Sequence, residues 1–160
     1  MIPNNLLNAE RKANQILIFI GQKKLPVNPI NIAKVYGIDV LKISELGIDA
    51  SEYESMDGFT ACDKKTKKFK IVYNDRYKQR ACFTVAHEFG HIKLNHFNSM
   101  LPYELMEKEA NYFARCLLIP YGALDLLYDK LLKEKRYGKN IFISYTAKIF
   151  GVSEEAAGYA

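Results

Sequence analysis

The segment His87-Glu88-Phe89-Gly90-His91 constrains the fold of this chain more than any other stretch of its sequence. Two histidines four residues apart lie on the same side of an α-helix, so the segment predicts a helix with both imidazoles on one face. Such a pair can bind one zinc ion through two ring nitrogens, while the carboxylate of Glu88 reaches a metal-bound water. Zinc lowers the pKa of that water to about 7, and the carboxylate can take its proton. The segment therefore predicts a zinc site with Glu88 as the general base.

The residues around this segment predict a helix with a buried side. From Gln79 onward, apolar residues recur every three to four positions, at Cys82, Val85, Phe89 and Ile92. This period is typical of an amphipathic helix whose apolar stripe lies opposite the two histidines. Chance alone would place the HExxH pattern in a chain of this length on the order of 0.5% of the time. We therefore interpret the pattern as a metal site and not as two surface histidines.

A catalytic zinc ion needs a third protein ligand and one open position. His96 is one candidate, but no glycine stands at the turn position of the HExxHxxGxxH pattern, and we interpret His96 as a partly buried or helix-end residue. Glu107, on the next predicted helix, is the favoured ligand. Asn111 shares its face and can accept the N–H of a ligating imidazole. Glu109 is the competitor, although it lies about 200° around the helix from Glu107.

The wider pattern predicts an α+β fold. We expect a small antiparallel sheet of about three strands, packed on a helical core that carries the HExxH helix. Residues 1–160 are expected to form one domain, in which about 138–160 is a candidate helical appendage. The predicted strands are 38–43, 58–62 and 69–73, and the predicted helices are 5–20, 29–36, 79–96, 104–118, 121–135, 144–150 and 154–160.

Composition narrows the class of protein. The net charge of +5 comes from 23 basic and 18 acidic residues, with much of the excess in short lysine runs that suit solvated loops. Direct nucleic-acid binding is therefore disfavoured. The three cysteines are odd in number and form no CxxC, which favours unpaired thiols in a reducing cytosol. We find no signal peptide and no apolar run of the roughly 20 residues that span a membrane, and we expect a cytoplasmic protein.

Two motifs together resemble those of a known family. The HEFGH of residues 87–91 is followed by EKEANYFARCLLIP at 107–120, and this pair is similar to the ImmA/IrrE family of intracellular metallopeptidases. The stretch 25–40 and the Phe-Gly-Val-Ser-Glu-Glu of 150–155 are similar to the family as well, so the resemblance covers roughly 25–157. The matching residues in the second motif are Glu107, Glu109, Ala110, Asn111, Phe113, Ala114, Leu117, Leu118 and Pro120.

The resemblance implies a zincin-like, gluzincin-like protease with one Zn²⁺ per chain, and an open site of this kind can be isolated empty. His87, His91 and Glu107 would be its ligands and Glu88 its general base. Asn111 stands where other gluzincins often have Asp, which keeps an acceptor oxygen but removes a charge. Known members cleave helix-turn-helix repressors of the XRE type from mobile elements or stress loci, so the implied partner is such a repressor. The alternative is a non-catalytic, zinc-holding module that acts by binding a repressor.

Two features stay open at the level of sequence. The segment 145–154 resembles the first part of a helix-turn-helix, although a helical pair that closes the core is favoured. A peptidase also needs a group that stabilises the oxyanion. By residue type, the candidates are Tyr103, Tyr112, His96 and Arg115.

Overall fold

A computed structural model of the chain describes residues 3–47, 55–63, 65–76, 78–134 and 138–159. The described residues form seven α-helices and three strands, which confirms the α+β class. Two short 3₁₀ helices lie at Ile43–Glu45 and His96–Asn98. In chain order the elements are α1 (Asn4–Phe19), α2 (Pro29–Val35), β1 (Asp39–Lys42), β2 (Gly58–Cys62), β3 (Phe69–Tyr73), α3 (Lys78–Lys93), α4 (Tyr103–Leu118), α5 (Tyr121–Lys133), α6 (Lys139–Phe150) and α7 (Glu154–Gly158).

The sheet is mixed, and the expectation of an antiparallel sheet was wrong for β1. Its strand order is β1-β3-β2. The predicted hairpin is present, with β2 antiparallel to β3, but β1 runs parallel to β3 on the other side. Alternating residues mark a strand without indicating its partner or direction, and a parallel pair only requires a long connection. The chain from β1 through β2 supplies that length, although 48–54, within the predicted loop 44–57, lies outside the described residues.

Helix α3 carries the HExxH segment and packs closely on α4. A Cβ atom on Gly90 would lie 2.9 Å from Cδ1 of Phe113 and 3.4 Å from Cα of Ala110. Phe89 and Phe113 are fully buried, and their ring centroids are 6.0 Å apart. Because glycine has no Cβ atom, α3 and α4 can approach more closely at Gly90 than any other residue would permit without a shift of the neighbouring atoms.

Helix α4 also packs along α1, so it lies at the centre of the helical layer. Small residues of α1, Ala9 and Ala13, are fully buried, as are Ala110 and Ala114 of α4. Small side chains at helix contacts allow short distances between the axes, which range from about 8 to 10 Å in proteins. The α1–α4 contact thus supports α4 on one side while α3 packs against it at Gly90.

Helix α6 begins at Lys139, earlier than the predicted start at 144. The β-branched Ile141 and Ile143 have low helix propensity, so the sequence does not indicate the first turn of this helix. Tertiary packing overrides this preference, since the ring of Phe142 lies 5.7 Å from that of Tyr128 on α5. At the other end of α6, Phe150 belongs to the main hydrophobic core.

The cysteines are free, as the sequence predicted. Cys62 is exposed, whereas Cys82 and Cys116 are half-buried on α3 and α4. Burial raises the pKa of the Cys116 thiol to about 11 and also raises that of Cys82. Both groups therefore remain protonated at neutral pH, which argues against a cysteine nucleophile in the helical core. No helix of the described residues has both the length and the apolar character that crossing a membrane requires.

Substituting Gly90 with alanine should lower the free energy of unfolding. Overpacking costs about 1–3 kcal/mol, which exceeds the helix-propensity gain of at most about 1 kcal/mol. Gly122→Ala is the matched control, because a Cβ there meets no atom within 4 Å and should only raise stability. Urea unfolding of both variants measures the two effects. Equal stabilisation by both substitutions would contradict the close packing at Gly90.

Candidate metal centre

The structure brings together the three residues that the sequence nominated as ligands. The Nε2 atoms of His87 and His91, one turn apart on α3, are 3.0 Å from each other. Glu107 reaches across from α4, with Oε2 3.4 Å from Nε2 of His87 and Oε1 3.2 Å from Nε2 of His91. All three side chains are partly exposed. They form the metal-binding triad that the described residues offer.

The separations between these donor atoms fit zinc. Zinc binds imidazole nitrogen and carboxylate oxygen at about 2.0–2.2 Å, and the corresponding edge of a tetrahedron is about 3.3–3.6 Å. The two Nε2 atoms are 3.0 Å apart, and each lies 3.2 or 3.4 Å from a different oxygen of Glu107, so these distances lie at or slightly below that edge. Three protein ligands with one face towards solvent are typical of catalytic zinc sites, since structural sites use four protein ligands.

Asn111 lies on the side of His87 that faces away from the triad. Its Oδ1 is 2.9 Å from Nδ1 of His87. An amide oxygen only accepts, so Nδ1 of His87 carries a proton, and in the neutral ring Nε2 is then the nitrogen with the lone pair. This is the tautomer that binds a metal through Nε2. The contact is the one that the sequence predicted for Asn111.

The two alternative ligands lie behind His91, away from the triad. His96 is buried, and its Nδ1 is 2.9 Å from Nδ1 of His91. Glu109 is buried too, with Oε2 3.0 Å from Nε2 of His96. Burial lowers the pKa of His91 to about 4, with further contributions from the charges of His87 and His96. His91 is therefore neutral at physiological pH, as a metal ligand must be.

Glu88 has a partner that sequence reasoning missed. The hydroxyl of Thr60, on β2, donates a hydrogen bond of 2.6 Å to Oε2 of Glu88. Burial raises the pKa of Glu88, while the Thr60 bond and the charge of His87 act in the opposite direction. The sequence signal for Thr60 was its place in a predicted strand. Which strand residue faces α3 depends on the packing of the sheet, and this is not encoded in the strand pattern.

Of the four residues considered for oxyanion stabilisation, Tyr103 lies next to the triad. The charge of Glu107, a hydrogen bond to that carboxylate and the charge of Glu88 all raise the pKa of Tyr103, together with some burial. The other three have partners elsewhere. Tyr112 donates to Glu10, Arg115 donates to the carbonyl of Tyr159, and His96 contacts His91 and Glu109.

Replacing Glu107 with glutamine should weaken zinc binding by more than about 100-fold. Loss of a residue that only hydrogen-bonds to a metal ligand costs about 10- to 100-fold in affinity, and loss of a charged ligand itself should cost more. Glu104→Gln is the matched control, since Glu104 is an exposed carboxylate in the first turn of the same helix. Chelator competition measures both affinities, with one equivalent expected for the unsubstituted chain. Equal affinities in the two variants would contradict Glu107 as a ligand.

The comparison with protein families agrees with this geometry. A family model described as the IrrE N-terminal-like domain of peptidase family M78 matches residues 33–160. The match includes the strands, α3 with His87, Glu88 and His91, and α4 with Glu107. A comparison with curated proteins finds no match. The family match spans most of the length of this chain, which therefore belongs to the ImmA/IrrE family of metallopeptidases.

Proposed function

We propose that this chain is a zinc-dependent, site-specific endopeptidase that cleaves a helix-turn-helix repressor of the XRE type. Cleavage would derepress a mobile element or stress genes, as it does for known members of the family. One observation carries the proposal. An open triad of two imidazoles and a carboxylate lies beside a partly buried carboxylate, Glu88, that does not belong to the triad. A purely structural zinc site has no use for that additional group.

The side chains around the triad suit hydrolysis of a peptide bond. Zinc held by His87, His91 and Glu107 would supply Lewis-acid activation of water and of the peptide carbonyl. Glu88 then takes the proton of the attacking water and passes it to the leaving amine. The Thr60 hydroxyl donates to Oε2 of Glu88 and so helps to hold this carboxylate in place. The Tyr103 hydroxyl, which is hydrogen-bonded to Glu107, can stabilise the developing oxyanion if its proton is donated to the substrate in place of that carboxylate.

The position of β2 suits a peptide in an extended conformation. β2 pairs with β3 along one edge, and among the described residues no strand pairs with its other edge. A strand at the edge of a sheet can add an extended segment of another chain through main-chain hydrogen bonds. A segment bound there passes Thr60 and Glu88. This favours cleavage within a flexible stretch of the repressor, since a folded helix cannot pair with a strand edge.

The C-terminal helices do not favour direct DNA binding. Helix α7 spans only Glu154–Gly158, and Ser153 caps it by accepting from the N–H of Ala156. Two glutamates in the first turn, Glu154 and Glu155, suit a helix N-terminus but repel phosphate. We therefore assign the repressor protein, and not its operator, as the partner.

Glu88→Gln should abolish cleavage while leaving zinc binding intact. The experiment loads wild type and variant with one equivalent of zinc and incubates each with the repressor encoded beside this chain. Mass spectrometry of the products locates the cut. A single cut by wild type alone is the expected result, because the amide cannot take the proton of the attacking water.

Two outcomes contradict the proposal in different ways. Zinc in both proteins with no cut by either, together with tight binding of the repressor, would favour the alternative of a non-catalytic binding module. If neither protein binds zinc, the proposed metal centre itself is contradicted.

Thr60→Val should lower kcat by about 10- to 100-fold, because a hydrogen bond to a charged group contributes about 1.5–3 kcal/mol. Zinc affinity should not change, since Thr60 contacts Glu88 and not the triad. Thr60→Ser keeps the hydroxyl and should restore most of the rate. Cleavage assays and chelator competition on the same preparations separate the two effects. A valine variant with the wild-type rate would contradict this role of Thr60.

A further inference from the structure

We propose that His96 and Glu109 are positioning residues, which hold His91 in its metal-binding tautomer and increase its strength as a ligand. The contacts form one continuous line of hydrogen bonds. Oε2 of Glu109 is 3.0 Å from Nε2 of His96, and Nδ1 of His96 is 2.9 Å from Nδ1 of His91. Nε2 of His91 then faces Glu107 at 3.2 Å. The inference rests on the proposed zinc site but not on the identity of the substrate.

The protons along this line have one arrangement when a metal is bound. Nε2 of His91 then carries no proton, so the single N–H of that neutral ring is on Nδ1 and donates to Nδ1 of His96. His96 must accept there, which leaves its own N–H on Nε2. That N–H donates to the carboxylate of Glu109, which only accepts when ionised. Each donor in the line therefore has one acceptor.

Burial makes this line of hydrogen bonds strong. The side chains of His96 and Glu109 are 4% and 7% exposed. Hydrogen bonds to charged groups strengthen where water is excluded, and an ionised carboxylate without a partner would be costly there. The negative charge of Glu109 acts through His96 on His91 and makes its Nε2 a better donor to a cation.

The two metal-facing histidines are thus supported differently. His87 donates to Asn111, a neutral amide, whereas His91 donates to a ring that a carboxylate polarises. In the sequence, the amide at 111 removes a charge from the position where related proteases often have Asp. Glu109 supplies a carboxylate near the site as well, but it lies behind His91 and not behind His87.

A local backbone feature places His96 for this role. Asn95, two residues after the end of α3, has φ 60° and ψ 36°, the left-handed conformation, and it is the N-cap of the 3₁₀ helix His96–Asn98. Asparagine adopts this conformation more readily than other residues apart from glycine. The turn brings His96 back against His91. Glu109 meets it from α4, because residues 107 and 109 project from different sides of that helix.

The test compares Glu109→Gln and His96→Leu with Glu104→Gln, the exposed control on α4. Zinc is the probe, and chelator competition measures its affinity in each protein. Glu109→Gln keeps an acceptor oxygen but loses the charge, so we expect about 10-fold weaker binding. His96→Leu removes the line entirely, and we expect a loss towards 100-fold, at the upper end for such partners. Glu104→Gln should bind zinc as wild type does.

A purely structural role predicts different results. If the pair only joins α4 to the turn after α3, both variants lose stability to urea without zinc, but the folded fraction binds zinc with wild-type affinity. That result would overturn the proposal. If His96→Leu does not fold, Glu109→Gln alone decides between the two roles. Failure of wild type to bind zinc would instead overturn the proposed function, so the two failures are distinct.

Nitrogen-15 NMR of the histidine rings gives a second readout. In zinc-loaded wild type, Nδ1 of His91 should carry a proton that exchanges slowly with water, because it is donated to buried His96. In Glu109→Gln that proton should exchange faster, since the acceptor ring is less polarised. An unprotonated Nδ1 in the zinc-loaded protein would overturn the proposed arrangement.

Discussion

The contact between α3 and α4 at Gly90 is the constraint on which the metal centre depends. Two of the candidate ligands lie on α3 and the third on α4, so the distance between these helices sets the size of the site. A Cβ atom at position 90 would lie only 2.9 Å from Cδ1 of Phe113, so the ring or the helices would have to shift. With glycine there, Glu107 lies within 3.4 Å of both imidazoles. The fourth residue of the HExxH segment thus contributes to the site without touching a metal.

The same two helices also supply the groups that orient the ligands. Asn111 and Glu109 lie on either side of Ala110 on α4, and each directs one histidine of α3, Asn111 directly and Glu109 through His96. One short stretch of α4 therefore provides a candidate ligand and the two groups that we propose orient the histidines. This explains physically why the segment 107–111 combines two carboxylates and an amide with a small residue at the helix contact.

Local periodicity predicted most of this arrangement. The four-residue spacing of His87 and His91, and of Glu107 and Asn111, placed each pair on one helix face, and the contacts are as expected from that spacing. The hairpin of β2 and β3 also followed from alternation and a polar turn. Contacts that depend on packing between distant segments were not predictable. The parallel pairing of β1, the bond from Thr60 to Glu88, and the use of Glu109 through His96 all depend on how the elements dock.

The charges of the site favour a bound cation. Burial raises the free energy of the ionised form of Glu88, and the nearby charge of Glu107 adds to this cost. The two Nε2 atoms lie 3.0 Å apart, so they repel each other whenever both present lone pairs, as metal binding requires. A divalent cation among these groups offsets all three terms, so its binding energy contributes to folding as well. The residues that make the site suited to hydrolysis therefore also make it costly without a metal, and the packing of α4 between α1 and α3 is what offsets that cost.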